Sequence, residues 1–245
     1  MVRKITFVAA CHVDDVTLNR NDQHSRRLGL PFIGEAGAVA PSLAVVGGSP
    51  SVVNYIEELR AWSGEIWATN GAFLWCLDNG ISATFYTIDP IPSLAEVAKK
   101  ANRAILSSVC DPSVFAAMKG PIEVFPRGDL PNGSSGVATA PMVAAKRGHK
   151  HVTFFGCESS FEGQEHAYSW PHKTKSRALI ECGGKRYLTT PQLIMQAEYI
   201  AEIAQAVPGF VSVVGGGFLP ALIEHGDYEV LKVSRDIMEN LTHGN

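Results

Sequence analysis

Short apolar runs rich in β-formers alternate with stretches of helical spacing along most of this chain. That alternation restricts the possible folds more than any other feature. Residues 42–46 form one such run and stop abruptly at Gly47-Gly48. From Ser51 the pattern changes, and Val52, Val53, Ile56 and Leu59 recur at helical spacing with Glu57, Glu58 and Arg60 between them. The same grammar repeats downstream. It predicts strands at 65–68, 84–88, 104–107, 122–125, 151–155 and 211–214. Helices are predicted at 72–77, 94–100, 113–118, 137–147, 190–206 and 219–224. Strands alternating with helices at this spacing argue for a parallel sheet, whose crossovers need a dozen or more residues. The expected fold is α/β: a Rossmann-like, mostly parallel sheet with helices on both faces.

Two segments stand outside this rhythm. Residues 5–10 read as a first strand, and 14–28 as a helix or a loop lying over the site. Residues 156–184 are polar and aromatic, with His166, Tyr168, Trp170 and His172, and read as an irregular, lid-like insertion. The expected organisation is a single domain over 1–245. It has an N-terminal strand and cover segment (1–41), a nucleotide-binding core (42–220) and a polar loop or lid (157–189).

Composition narrows the function classes. The 245 residues are 46% hydrophobic and 18% charged, with a formal net charge of −3. This balance offers no bulk attraction to nucleic acid or an anionic membrane, so phosphate binding has to come from a local site. No apolar run reaches the ~20 residues of a membrane helix. The apolar start at 5–10 is closed by Asp14-Asp15, unlike a secretory signal. Cytoplasmic location follows as the expectation. Five cysteines, at 11, 76, 110, 157 and 182, are widely spaced and form no CxxC pair, which predicts buried free thiols.

Five constellations could carry chemistry. Gly47-Gly48-Ser49-Pro50-Ser51 leads a strand through glycines into a helix, where free N–H groups and the helix dipole favour an anion. A plain Ser-capped turn would read the same way. Asn70 lies just past a strand, where its amide could read a base or ribose, or simply cap a helix. Asp89, at the end of 84–88, could hold Mg²⁺ or a ribose hydroxyl, or serve as a turn residue. Asn132-Gly133-Ser134-Ser135-Gly136 opens a helix and is a second candidate anion cradle. Glu158, with His166 and His172 after it, could perform acid–base work or ligate a metal, although these histidines have no metal-ligand spacing.

Taken in order, AVVGGSPSV, IWATNGAFLWCLDNGISATFYTIDP, GSSGVATAPMVAAKRGHKHVTFFGCE and GKRYLTTPQL resemble the 6-hydroxymethylpterin diphosphokinase MptE-like family, which includes motility accessory factors and phage-encoded members. The turn here is Gly-Gly-Ser-Pro-Ser, where that family often has a second glycine before the proline. Position 158 is Glu where Asp is common. The layout is also similar to bacterial sialyltransferases that use CMP-sugars. Both resemblances imply a nucleotide bound by Gly47, Gly48, Ser49, Ser51, Asn70, Asp89, Asn132, Gly133, Ser134 and Ser135. The diphosphokinase resemblance implies diphosphoryl transfer from ATP to a hydroxymethyl acceptor, with Mg²⁺ on Asp89 and Glu158. The sialyltransferase resemblance implies glycosyl transfer from a nucleotide sugar to a small-molecule or glycan acceptor, with His166 or His172 as base. A non-catalytic nucleotide-binding module is the third reading.

Overall fold

The computed structural model describes residues 13–34, 40–126, 135–161, 166–168 and 176–234. The strand expected at 5–10, most of the loop at 128–135, Cys11, Trp170 and His172 lie outside these residues.

Seven strands form one sheet: β1 (Ser42–Val46), β2 (Glu65–Thr69), β3 (Thr84–Thr87), β4 (Ala104–Ser107), β5 (Ile122–Phe125), β6 (His151–Phe155) and β9 (Val211–Val213). Their order is β5-β4-β3-β2-β1-β6-β9, and every pairing is parallel. The chain winds outward from β1 to β5, then returns to the far side of β1. Right-handed crossovers place helices on one face during the outward run and on the opposite face after the reversal. The helices follow that rule. α2 (Ile56–Arg60), α3 (Gly71–Asp78), α4 (Ala95–Ala98) and α5 (Pro112–Ala117) pack against Ala44, Val46, Ala68, Phe85 and Leu106. α6 (Gly136–Arg147), α7 (Pro191–Ala206) and α8 (Phe218–His225) pack against Leu43, Val45, Trp67, Val152 and Phe154. Alternate residues of β1 thus feed opposite cores, which is why its sequence is apolar throughout. α1 (Asp15–Arg27) settles the helix-or-loop alternative at 14–28 as a helix, capped by the Asp14 carboxylate on the Thr17 N–H.

Two expectations need correction. Residues 156–184 are not irregular throughout: β7 (Arg177–Cys182) and β8 (Lys185–Thr189) form an antiparallel hairpin, joined on the other side of β7 by β10 (Glu229–Ser234). Gly183 and Gly184 both take positive φ, 57° and 73°. This is the backbone of a two-residue hairpin turn whose twist matches its strands. In Arg-Ala-Leu-Ile-Glu-Cys, Ala178, Ile180 and Cys182 turn inward onto the α7–α8 core. The helices expected from Ser51 and over 94–100 are also shorter: 3₁₀ turns at Pro50–Tyr55 and Pro92–Leu94 lead into α2 and α4.

Cys76, Cys110, Cys157 and Cys182 are free and buried, as expected. Burial pushes the Cys76 thiol up to about 12 and raises those of Cys110 and Cys157, which disfavours the reactive thiolate at neutral pH. Among the described residues, no helix is long and apolar enough to cross a membrane.

Candidate functional site

Strand order places the predicted residues along one edge. β3, β2, β1, β6 and β9 are consecutive neighbours and parallel, so all their C-terminal ends lie on the same side. Asp89 follows β3, Asn70 follows β2, Gly47–Ser49 follow β1, Glu158 follows β6 and Gly215–Gly217 follow β9. β1 and β6 flank the point where the winding reverses, the place where open α/β sheets leave a crevice for a ligand.

The glycine turn is occupied differently from the simple anion cradle. The Gly47 N–H donates to the Phe155 carbonyl at 2.8 Å and the Ser49 N–H to the Gly156 carbonyl at 2.9 Å. Two of the N–H groups expected to face a phosphate therefore stitch β1 to β6. The glycines are needed for close approach: a Cβ on Gly47 would lie 2.5 Å from the Gly156 carbonyl oxygen. A Cβ on Gly48 would lie 2.6 Å from the Tyr168 hydroxyl and 2.8 Å from His166 Nδ1. The segment His166–Ala167–Tyr168 lies directly on the turn, and the Ala167 N–H donates to the Gly48 carbonyl at 2.9 Å. The His166 and Tyr168 rings stack with centroids 5.5 Å apart. Burial pushes the His166 imidazole below its ordinary value, so its neutral form is favoured at pH 7.

Asn70 is held in a strained backbone, φ 47° and ψ −120°, at the junction of β2 and α3. It does not act as a side-chain helix cap. Its amide Nδ2 donates to Asp89 Oδ2 at 2.5 Å. Its Oδ1 is shielded from solvent and meets no hydrogen-bond partner among the described residues. Two residues from separate motifs, 19 apart in sequence, are thereby joined.

Glu158 is 2% exposed. The Ser51 hydroxyl donates to its Oε1, while Oε2 is buried without a partner among the described residues. Gly215 and Gly217 complete its wall. A Cβ on Gly215 would lie 2.9 Å from Glu158 Oε1, and one on Gly217 2.5 Å from Glu158 Cβ. The Leu219 N–H anchors the Glu158 carbonyl at 2.8 Å. This second glycine turn is a site element that motif reading passed over, although it repeats the signal of Gly47-Gly48 directly after a strand. Ser159 (φ 58°) and Gln196 were also missed. The Ser135 hydroxyl caps α6 through the Ala138 N–H at 3.1 Å and donates to Gln196 Oε1 at 2.6 Å, and Gln196 Nε2 donates to Ser159 at 2.9 Å. Ser135 is thus a helix cap tied to the end of β6. Asn132, Gly133 and Ser134 lie outside the described residues.

Asp89 and Glu158 do not fit a shared Mg²⁺. Three strand steps separate β3 from β6, about 14 Å at the usual spacing, and each carboxylate is hydrogen-bonded to a neighbour of its own. Among the described residues, no group of three metal-ligating side chains is assembled.

A scan of protein-family models and a search of curated proteins both find no match. The likeness to the MptE-like family therefore rests on the quoted motifs. Among solved structures, the MAf glycosyltransferase from Magnetospirillum magneticum AMB-1 superposes with a TM-score of 0.67 at 16% identity, over 86% of this chain. This chain spans 38% of that protein. A mammalian sialyltransferase in complex with Gal-beta-1-3GalNAc-ortho-nitrophenol aligns over 84% of this chain and 88% of its own, with a TM-score of 0.43 and 11% identity, too low to argue from. The fold is the Rossmann-like α/β architecture that the MAf glycosyltransferase shares.

Proposed function

We propose that this chain binds a nucleotide sugar along the C-terminal edge of its parallel sheet and transfers the sugar to an acceptor hydroxyl. One observation carries the reading: the Asn70–Asp89 pair, the glycine turn under His166 and the buried Ser51–Glu158 pair converge on the strand ends at the winding reversal. The fold shared with a glycosyltransferase supports it.

Two of the orphaned atoms along this edge are acceptors, Asn70 Oδ1 and Glu158 Oε2, and the ring nitrogen His166 Nδ1 lies orphaned between them. Acceptors suit the N–H and O–H groups of a nucleoside and a sugar, and they repel phosphate oxygens. The nucleoside is therefore assigned to the β2–β3 side and the sugar to the β6–β9 side. The phosphate lies between them, toward the positive end of the α6 dipole, where Gly136 sits against Thr69 and Tyr86. His166 lies above β1, beside this phosphate position. Its neutral imidazole takes the proton of the acceptor hydroxyl as that oxygen bonds to the anomeric carbon. The bond from that carbon to the phosphate oxygen breaks, and the nucleotide leaves with the electron pair.

Diphosphoryl transfer from ATP would need Mg²⁺ to offset phosphate charge. The separation of Asp89 from Glu158 weighs against that reading. Thermal shift with CMP, CDP, UDP and ATP, with and without Mg²⁺, tests the choice. The expected result is stabilisation by a nucleoside mono- or diphosphate without Mg²⁺, followed by release of free sugar from the matching nucleotide sugar. Stabilisation by ATP with Mg²⁺ alone, with AMP released, would establish the diphosphokinase reading instead. No shift with any of them would end the nucleotide reading.

A further inference from the structure

Within the proposed site, Asp89 and Asn70 form a unit with a consequence for ligand choice. A side-chain amide has a donor end and an acceptor end, and in isolation either can face a ligand. Here the orientation is not free. A carboxylate can only accept, so it must face Nδ2, and the 2.5 Å contact from Asn70 Nδ2 to Asp89 Oδ2 meets that demand. Turning the amide over would set two oxygens against each other. Oδ1 is left pointing away from Asp89, shielded from solvent and without a partner among the described residues. An unsatisfied buried acceptor is costly and calls for an explanation. The backbone is also strained at this residue: Asn70 is one of only two non-glycine residues with positive φ among those described, and the other is Ser159, after β6 on the same edge of the sheet. Asp89 is itself held in place, since its N–H donates to the Thr87 hydroxyl at 3.0 Å. Strain, a locked amide and an orphaned acceptor on one side chain describe a preorganised contact rather than a helix cap.

We infer that Asp89 is a positioning residue, not a metal ligand: it holds the Asn70 amide with its oxygen toward the ligand, so this subsite selects a group that donates N–H or O–H. On the nucleotide reading, which this inference deepens, the donor is a base amino group or a ribose hydroxyl. A base carbonyl in the same place meets acceptor with acceptor and is rejected.

The test has two independent readouts. In the ligand-free protein, the side-chain amide of Asn70 is followed by ¹⁵N NMR and assigned by its loss in Asn70→Ala. The two amide protons of any asparagine are distinct, because rotation about the C–N bond is slow. The proton donated to Asp89 is expected downfield, widening their separation beyond that of a free asparagine. The separation is expected to narrow toward the free value in Asp89→Asn, which offers both a donor and an acceptor. Unchanged signals in Asp89→Asn overturn the lock, and so do signals that move on adding Mg²⁺ alone.

Binding of CMP, UMP, 2′-deoxy-CMP and 3′-deoxy-CMP is then measured by calorimetry on wild type and Asp89→Asn. Wild type is expected to prefer the donor-bearing ligand by about tenfold or more, and Asp89→Asn to reduce that preference to about threefold or less. Loss of affinity for UMP identifies a base amine, and loss for one deoxy form identifies a ribose hydroxyl. Equal affinity of wild type for all four, or a uniform loss in Asp89→Asn with the preference intact, overturns the selection role. A locked amide in a protein that binds none of the four, nor CDP, UDP or ATP, supports the lock and overturns the nucleotide reading instead.

Discussion

At the scale of single residues, the site turns on atoms left without partners and on side chains whose absence allows close approach. Gly48 is the clearest case. Adding a Cβ would drive into the Tyr168 hydroxyl and the His166 ring, so Gly48→Ala is expected to dislodge residues 166–168 and to cut turnover about as severely as His166→Ala. Loss of a general base costs about 10²- to 10⁴-fold in kcat. Steady-state release of free sugar from a nucleotide sugar checks both variants, and an unimpaired His166→Ala would remove the imidazole from the mechanism. The pH dependence has a definite sign. Burial lowers the His166 value below the ordinary ~6.5, so the base remains neutral into mildly acidic solution. The acid limb of the kcat/KM profile should therefore lie below pH ~6.5. Residue types and order were legible in the sequence here: Gly48, Asn70, Asp89, Glu158 and His166 were all singled out. Their pairings were not. Asn70 with Asp89 and Ser51 with Glu158 are tertiary contacts, and a hydrogen bond across 107 positions leaves no local pattern.

At the scale of elements, the hairpin escaped notice for a physical reason. Hydrophobic periodicity identified the parallel strands because they are buried on both faces and read as continuous apolar runs. β7 and β8 are covered differently. β8 is an exposed edge whose Lys185 and Arg186 mask its strand character, and only the inward face of β7 is buried throughout. The Gly183-Gly184 pair is itself a hairpin signal, obscured by the polar residues before it. Gly183→Ala should destabilise the protein, because φ is positive there and a new methyl would collide with the His225 ring. A cost of about 1–3 kcal/mol is expected from strain of this kind, measurable by urea denaturation. The α6 cap makes a second prediction. Ser135→Ala removes the bond to the Ala138 N–H and also the partner of Gln196, for a loss of about 1 kcal/mol or somewhat more. Weakened nucleotide binding by this variant beyond its loss of stability would show that the cap also orders the phosphate end.

At the scale of the whole molecule, the two edges of the sheet are specialised. The C-terminal edge holds orphaned acceptors and strained residues. The opposite edge holds an ionic network, in which Arg147 Nε and Glu123 Oε2 have no hydrogen-bond partner among the described residues. Buried Arg147 contacts Glu65 and Glu123 at 3.1 Å each, Arg103 contacts Glu123 at 2.6 Å, and Trp67 Nε1 donates to Glu65 at 3.0 Å. Removing Arg147 leaves Glu123 and Glu65 with the more exposed Arg103, at 2.6 Å and 3.9 Å, as their remaining guanidinium partner. Arg147→Ala should cost up to about 3 kcal/mol, since Arg103 still faces both carboxylates, while leaving nucleotide selectivity unchanged in the fraction that folds, as denaturation and calorimetry would register. His149 packs beside this network, and its value is lowered chiefly by burial. The unfolded chain takes up protons near pH 6.5 that native His149 and His166 resist. Stability is therefore unaffected by these groups above that value and falls as pH drops below it. A Tm series from pH 8 to pH 5 should decline at its acid end, and His149→Gln should flatten the decline. An unchanged slope in His149→Gln would assign the decline to other groups.

The sequence by itself determined the strand–helix alternation, the parallel sheet and which turns carry chemistry-bearing residues. Those properties rest on periodicity and turn chemistry within about a dozen neighbouring positions. Tertiary structure alone decided that Gly47 and Ser49 direct their N–H groups at β6, that Asp89 faces the Asn70 amide, and that Gly215–Gly217 wall in Glu158. Each of these depends on which strands become neighbours. Strand order in a wound sheet is set by crossover handedness and by the point of reversal, neither of which is written in any single segment.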